Sequence, residues 1–198
     1  MKYIFYILGL KPTPEIELCF AFSATSIKSG KTSLLMKKTI NKIIEKYGAV
    51  KLHYLAVVFG TQAQPLISFR DKNLSDKDLI SIISRVRLPP GSPRLNVALQ
   101  EVKEAFDKSP KRPGVKRVLV VLIDNKSTGD ADNMKKLQAA KELYGGDVSI
   151  IMVAIGEETD LNELGTVISR KENLIKESID VDPEELAEKI VEKTFGGK

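Results

Sequence analysis

Almost continuously apolar segments alternate along the chain with segments in which apolar and polar positions mix. The apolar runs are typical of strands buried on both faces of a parallel sheet, and one segment after a glycine predicts a turn with a short edge strand. The strands are predicted at residues 16–22, 52–59, 60–69 (turn and edge strand), 117–123, 148–155 and 173–179.

Between the strands, apolar side chains recur at spacings of three and four residues, which predicts amphipathic helices. These helices are predicted at residues 35–47, 75–83, 95–106, 134–144, 161–168 and 183–195. Ser75 with Asp78 three residues later resembles a capping box, and Asp182 followed by Pro183 is a strong helix start.

The alternation of strands and helices predicts an α/β fold with a doubly wound, mostly parallel central sheet flanked by helices on both faces. With 198 residues, the chain fits one domain, which we place at residues 15–198. Residues 1–14 form an N-terminal extension. Its apolar residues 3–8 suit either the remnant of a secretory signal or an additional strand.

The chain carries a formal net charge of +5, with 42% hydrophobic and 29% charged residues. This composition is that of an ordinary globular protein, and no run approaches the length of a membrane span. Arginines do not cluster with aromatic residues, so specific nucleic-acid binding is not expected. Lys28, Lys31, Lys37 and Lys38 would permit weak polyanion binding, or they form a solvated helix face. Cys19 lies in an apolar run and is expected to be buried.

Catalytic patterns are weak. His53 begins a strand far from any candidate nucleophile, and no pair of carboxylates has an obvious acid–base arrangement. Lys31 follows a glycine as in a phosphate-binding loop, but the earlier glycine that such a loop needs is Thr25. We therefore expect a protein that is not an enzyme. The alternative is an enzyme that uses Asp124 with a bound cation.

Three polar loops are expected at the carboxyl edge of the sheet, where ligands bind in open α/β folds. They span residues 23–30, 89–95 and 124–132, and each is rich in hydroxyls or carboxylates. The loops can together form an ion-binding site.

Residues 16–27, 88–99 and 112–127 resemble, in order and spacing, the strands and loops of von Willebrand factor A domains. In that family the first strand ends in D-x-S-x-S, the second loop holds a threonine, and the third begins Asp-Gly-x-Ser. The resemblance implies a metal-ion-dependent adhesion site for Mg²⁺ or Mn²⁺, to which a partner contributes a carboxylate. The implied metal ligands are Ser23, Thr25, Ser26, Ser92 and Asp124, with Asn125 and Ser127 as residues that contact the partner.

The chain departs from the family pattern at this site. The acidic position of the first loop holds Phe22, or Ser23 if one residue is deleted. The threonine position holds Pro93, and Asn125 stands where the family has glycine. One carboxylate with a few hydroxyls is a weak site for Mg²⁺. We therefore expect a degenerate site with weak or no metal dependence.

The resemblance implies a non-catalytic protein-binding or adhesion module of extracellular-matrix type. Its partner would be a protein ligand, of matrix or collagen-like type, and the chain would be secreted. The alternative is an intracellular scaffold or complex-assembly subunit with the same fold, in the cytoplasm.

Overall fold

The structure is a computed structural model. It describes residues 16–25, 29–71, 73–89, 91–109, 112–126, 133–142, 144, 147–168 and 170–196. The N-terminal extension and its two interpretations lie outside these residues.

The described residues form one six-stranded sheet in the order β3-β2-β1-β4-β5-β6. The strands are β1 (Ile16–Ser23), β2 (Leu52–Phe59), β3 (Ala63–Ile67), β4 (Lys116–Ile123), β5 (Val148–Ile155) and β6 (Leu174–Glu177). All neighbouring strands are parallel except β3, which runs antiparallel to β2 at one end of the sheet. The predicted fold class is confirmed.

Helices connect and cover these strands. They are α1 (Ser29–Lys51), α2 (Asp76–Arg85), α3 (Leu95–Asp107), α4 (Asn133–Glu142), α5 (Leu161–Val167) and α6 (Pro183–Phe195), with a 3₁₀ turn at Lys171–Asn173. The capping box at the start of α2 is confirmed, because Ser75 and Asp78 bond each other's backbone N–H groups. Helix α1 is interrupted at Gly48, where φ is +65°, a conformation that glycine adopts without strain.

Strand β1 lies in the middle of the sheet and contributes to a core on each face. Phe20 and Phe22 pack with α1, α2 and α6, whereas Cys19 and Ala21 pack with α3, α4 and α5. Alternate side chains of a strand point to opposite faces, so a strand covered on both sides must be apolar throughout. In the part of the chain that the structure describes, no helix is long and apolar enough to cross a membrane.

A buried ionic network holds β1 and β4 together near their amino-terminal ends. Glu17, 3% exposed, accepts from Arg117 Nε at 2.6 Å and from Arg112 Nε at 3.1 Å. Arg117 also donates to the backbone carbonyl oxygens of Phe106 and Ser109. These bonds give the arginine partners for most of its donors, as a buried charge requires.

Candidate functional site

The three polar loops meet at one edge of the sheet, as predicted. β1 and β4 are parallel neighbours with Ser23 opposite Ile123, so the loops that follow them start side by side. Helix α1 begins at Ser29 soon after the first loop, and α3 begins at Leu95 after the proline-containing loop. The carboxyl ends of the strands therefore carry the candidate site.

Asp124 joins the first and third loops. It directly follows β4, is 2% exposed, and its Oδ1 accepts a hydrogen bond of 2.8 Å from the backbone N–H of Thr25. The two residues are 99 positions apart in the chain. One oxygen of this buried carboxylate thus holds the first loop in place.

Two hydroxyls near this contact have no hydrogen-bond partner among the residues that the structure describes. Within the described ranges, neither Ser23 Oγ nor Thr25 Oγ1 bonds any other group, although both oxygens are buried. Buried polar groups are nearly always paired, and exceptions often mark a place for water, an ion or a ligand. The hydroxyls are therefore available to a bound group.

A depression of about 440 Å³ opens at the three loops, and we call it the three-loop cleft. Its described lining residues carry hydroxyl, amide and apolar groups but no charge. They are Ala24, Thr25, Ser29, Leu88, Pro89, Gly91, Ser92 and Asn125. Ser92 is exposed, Asn125 is half-buried, and Pro93, at the family's threonine position, is buried.

A larger depression of about 620 Å³ lies along the ends of β4, β5 and β6, and we call it the strand-end cleft. Its lining consists of Asp124, Thr32 of α1, residues 155–158 and residues 176–180. Sequence reasoning missed this cleft. The signal that could have found it is that residues 156–158 directly follow one predicted strand, while residues 176–180 span the end of another.

The predicted site residues are thus only partly described. Ser23, Thr25 and Asp124 lie together, and Thr25, Ser92 and Asn125 line the same cleft. Ser26 and Ser127 lie outside the described residues, so their predicted roles remain predictions.

Two lysines of the proposed polyanion face make local contacts in the structure. Lys31 forms an ion pair with Asp180, and Lys37 Nζ donates to the carbonyl oxygen of Val86 at 2.6 Å. Lys38 is exposed, whereas Lys28 lies outside the described residues. Weak polyanion binding stays a prediction.

Cys19 and His53 lie in surroundings that are typical of residues with a structural role. Cys19 is completely buried, and this burial raises the pKa of its thiol well above the usual value, so it is a poor nucleophile. His53 Nε2 lies 3.2 Å from Arg112 Nη1, near the buried Glu17. The expected burial of Cys19 is confirmed.

The residues that the structure describes at the three loops fit a tightly held Mg²⁺ or Mn²⁺ poorly. In the described ranges, no three His, Cys, Asp or Glu side chains converge as metal ligands. Among the described residues of the three loops, Asp124 is the carboxylate, and its Oδ1 already accepts from Thr25. The two unpartnered hydroxyls are hard oxygen ligands, but they bring no charge to compensate for the lost water shell.

A mostly parallel α/β sheet with polar loops at its carboxyl edge defines a domain of the doubly wound class, in which ligands generally bind at that edge. The von Willebrand factor type A domain family matches residues 23–191, and the chain belongs to this family. The resemblance drawn from the sequence is confirmed.

Solved structures show the same fold. Proximal thread matrix protein 1 (PTMP1) from the mussel byssus, in its crystal form 2, superposes with a TM-score of 0.78 at 16% identity, covering 91% of this chain and 48% of that chain. The same protein with a zinc-occupied MIDAS motif gives 0.76 at 20% identity, covering 92% and 46%. A von Willebrand factor type A structure from Catenulispora acidiphila gives 0.69 at 17% identity, covering 92% and 42%. The chain thus spans just under half the length of the structures it matches.

Proposed function

We propose that this domain is a non-catalytic protein-binding module of matrix or adhesion type, which contacts its partner through the three-loop cleft with little or no dependence on metal. The observation that carries the proposal is that the described lining of this cleft is uncharged and partly apolar, and that two buried hydroxyls nearby have no partner among the described residues. Membership of the von Willebrand factor type A family and the fold of a byssus matrix protein support it.

The chemistry of the three-loop cleft suits a protein surface. Ser92 and Asn125 offer hydrogen-bond donors and acceptors, while Leu88 and Pro89 offer apolar contact. Interfaces combine apolar area with about one hydrogen bond per 100–200 Å². A partner's backbone and polar side chains can be bound here without a bridging ion.

We propose a secreted partner of matrix or collagen-like type. The support is the fold similarity to PTMP1, which is described as a matrix protein. The cytoplasmic scaffold is the competing proposal, and it predicts no affinity for matrix proteins.

The test is a solid-phase binding assay on immobilised fibrillar collagen, fibronectin and laminin, in the presence of Mg²⁺ or of EDTA. Ser92→Arg places a long charged side chain in the cleft. Asn73→Arg is the matched control, because Asn73 is exposed and its turn packs near Leu52 at the opposite edge of the sheet. We expect binding to persist in EDTA, to weaken at least about tenfold in Ser92→Arg, and to be unchanged in Asn73→Arg.

If the wild-type domain binds none of the three matrix proteins, that result would contradict the matrix-type proposal. Calorimetric titration with Mg²⁺ and Mn²⁺ tests its second part. A saturable heat at submillimolar metal, together with loss of partner binding in EDTA, would show that the site depends on metal after all.

A further inference from the structure

Two long segments of the sequence contain no acidic residue. Neither residues 18–44 nor residues 79–100 include an Asp or a Glu, although the chain has 26 of them among its 198 residues. The same two segments contain five lysines and three arginines. In the structure they form β1, most of α1, most of α2 and the loop that leads from α2 to α3. The basic residues of these elements therefore have no acidic residues close to them in the sequence.

Packing brings basic residues of the two segments together. Lys37 Nζ donates to the backbone carbonyl oxygen of Val86 at 2.6 Å, so α1 lies against the end of α2. Val86 stands between Arg85 and Arg87 in the sequence, and both arginines are exposed. Lys38, which follows Lys37 on α1, is exposed as well. Two neighbouring elements thus present four positive groups.

Arg94 adds a fifth positive group at the end of the loop between α2 and α3. Leu88 and Ser92 of this loop line the three-loop cleft, while Arg87 precedes the loop and Arg94 follows it. Both arginines are exposed. We call the surface formed by the five residues the basic face, and its members are Lys37, Lys38, Arg85, Arg87 and Arg94. The basic face lies beside the three-loop cleft but is not part of its uncharged lining.

The charges of the basic face are not neutralised by carboxylates of the described residues. Lys37 is bonded to a neutral carbonyl oxygen, and the other four residues form no ion pair with any residue that the structure describes. Elsewhere on the surface lysines do pair with carboxylates, as Lys46 does with Glu188 and Lys103 with Asp107. A group of like charges without counter-charges produces a positive potential, which attracts anions from solution.

Arg94 occupies a position where a positive charge does not stabilise the fold. It is the N-cap of α3, its side chain makes no capping hydrogen bond, and no acidic residue lies in the first turn of the helix. The helix dipole is positive at this end and repels a cation. By contrast, α2, α5 and α6 are capped by the side chains of Ser75, Asp160 and Asp182. The arginine is therefore better explained by binding of an anion than by stability.

The basic face suits a polysaccharide better than a protein or a nucleic acid. Among the described residues, Leu34 is the exposed large apolar side chain, and no aromatic ring is exposed. Protein interfaces are generally centred on aromatic or apolar anchors, and unpaired nucleic-acid bases stack on exposed aromatic rings. A sulfated polysaccharide requires neither kind of anchor, because its affinity comes mainly from its charges.

The chemistry of the arginines matches sulfate groups. A guanidinium group binds a tetrahedral oxyanion through two parallel hydrogen bonds and stays protonated at every physiological pH. The positive groups come from α1, the end of α2 and the start of α3, so a chain with repeated sulfate groups can contact more of them than a single anion can.

We infer that the basic face binds a sulfated polysaccharide. The arginines between α2 and α3 are its main contacts, together with Lys37 and Lys38 of α1, whereas Lys31 is neutralised by Asp180. This inference goes beyond the proposed function, because it assigns a second ligand to a surface beside the three-loop cleft.

The test is surface plasmon resonance on heparin that is immobilised through its reducing end. We expect a heparin-derived decasaccharide to compete for the domain. The same oligosaccharide without its sulfate groups, a polyglutamate peptide of equal charge and a DNA duplex should compete at least about tenfold more weakly. The affinity for heparin should fall at least about tenfold between 50 and 200 mM salt, because several charges release counter-ions.

The test variant is Arg87→Ser/Arg94→Ser, which should bind heparin roughly three- to thirtyfold more weakly. Its matched control is Arg170→Ser/Lys171→Ser, which removes two exposed positive charges near the amino-terminal end of β6 and should bind as wild type. Arg94→Ser alone should raise the midpoint of urea unfolding, because serine caps a helix that now begins at an arginine. Loss of binding in this variant therefore does not reflect loss of folding.

Equal weakening in the test variant and its control would overturn the inference in favour of attraction by the net charge. Equally strong competition by polyglutamate or by DNA would overturn it in favour of an acidic protein or a nucleic acid, and absence of binding to heparin would overturn it outright. Failure of this inference is distinguishable from failure of the proposed function. Ser92→Arg should weaken binding of matrix proteins, but it adds a positive charge beside the basic face and should not weaken binding of heparin.

Discussion

The contact between Asp124 and Thr25 permits a prediction that separates two roles of the Asp124 carboxylate. One role is that of a hydrogen-bond acceptor for the first loop, and the other is that of a negative charge. Asp124, which is 2% exposed, accepts from the backbone N–H of Thr25 at 2.8 Å, and Asp124→Ala removes this acceptor. A hydrogen bond to a charged group is worth about 1.5–3 kcal/mol, and a neutral one about 1 kcal/mol. We therefore expect Asp124→Ala to lower the free energy of unfolding by about 2 kcal/mol. Asp124→Asn keeps an acceptor oxygen and should cost about 1 kcal/mol or less.

The assay is urea unfolding followed by far-UV circular dichroism, with the free energies compared at a common slope. Ser23→Ala is the control, because it removes a buried hydroxyl that has no partner in the described residues. Removal of such a group should change stability by less than about 0.5 kcal/mol. A loss below about 0.5 kcal/mol in Asp124→Ala would refute the view that this bond tethers the first loop.

The same variants connect stability with binding. In Asp124→Asn the first loop stays tethered, so binding of matrix protein at the three-loop cleft should remain near the wild-type value. In Asp124→Ala the loop loses its anchor, and binding should weaken even at temperatures where the domain is folded. Equal binding by both variants would mean that the tether does not shape the cleft.

Two further predictions concern charges elsewhere in the fold. Glu17→Gln should lower the free energy of unfolding by about 3 kcal/mol, because it leaves the buried guanidinium of Arg117 without its counter-charge. Glu17→Leu combined with Arg117→Met should recover most of that loss in urea unfolding, and a single-variant cost below about 1 kcal/mol would contradict this account. The hydroxyl and backbone N–H of Ser75 lower the pKa of the Asp78 carboxyl, so its stabilising effect is present above the unfolded-state pKa and is lost as pH falls through the lowered value. The stability difference between wild type and Asp78→Asn should therefore be constant above about pH 4 and shrink below it, which unfolding curves at a series of pH values will measure.

Local patterns determined the elements of this fold. Strands β1, β4 and β5 are covered on both faces. Because both sets of alternating side chains must then be apolar, each of these strands is a continuous apolar run in the sequence. The start of α2 could be predicted equally well, because Ser75 and Asp78 contact each other within one helical turn. From the order of these elements, both the α/β class and the three loops at one edge could be predicted.

The interactions that give the site its character could not be predicted this way. Asp124 meets Thr25 across 99 residues, and Glu17 meets Arg117 across 100. Each contact depends on β1 lying directly beside β4, which periodicity along a single chain does not specify. A carboxylate after a strand looks the same in the sequence whether it holds an ion or a backbone N–H.

The strand-end cleft is the clearest example of a feature that local sequence patterns do not predict. Residues 155–158 and 176–180 are the ends of two strands with the turns that follow them, and neither segment indicates a cleft when it is considered alone. They become two sides of one acidic cleft only because β5 and β6 are parallel neighbours whose carboxyl ends lie next to Asp124. The order of the buried segments could be predicted from the sequence, because hydrophobicity belongs to each side chain and its pattern is read locally. Which charges face one another became visible only in the folded structure, because it depends on the positions of strands distant in the chain.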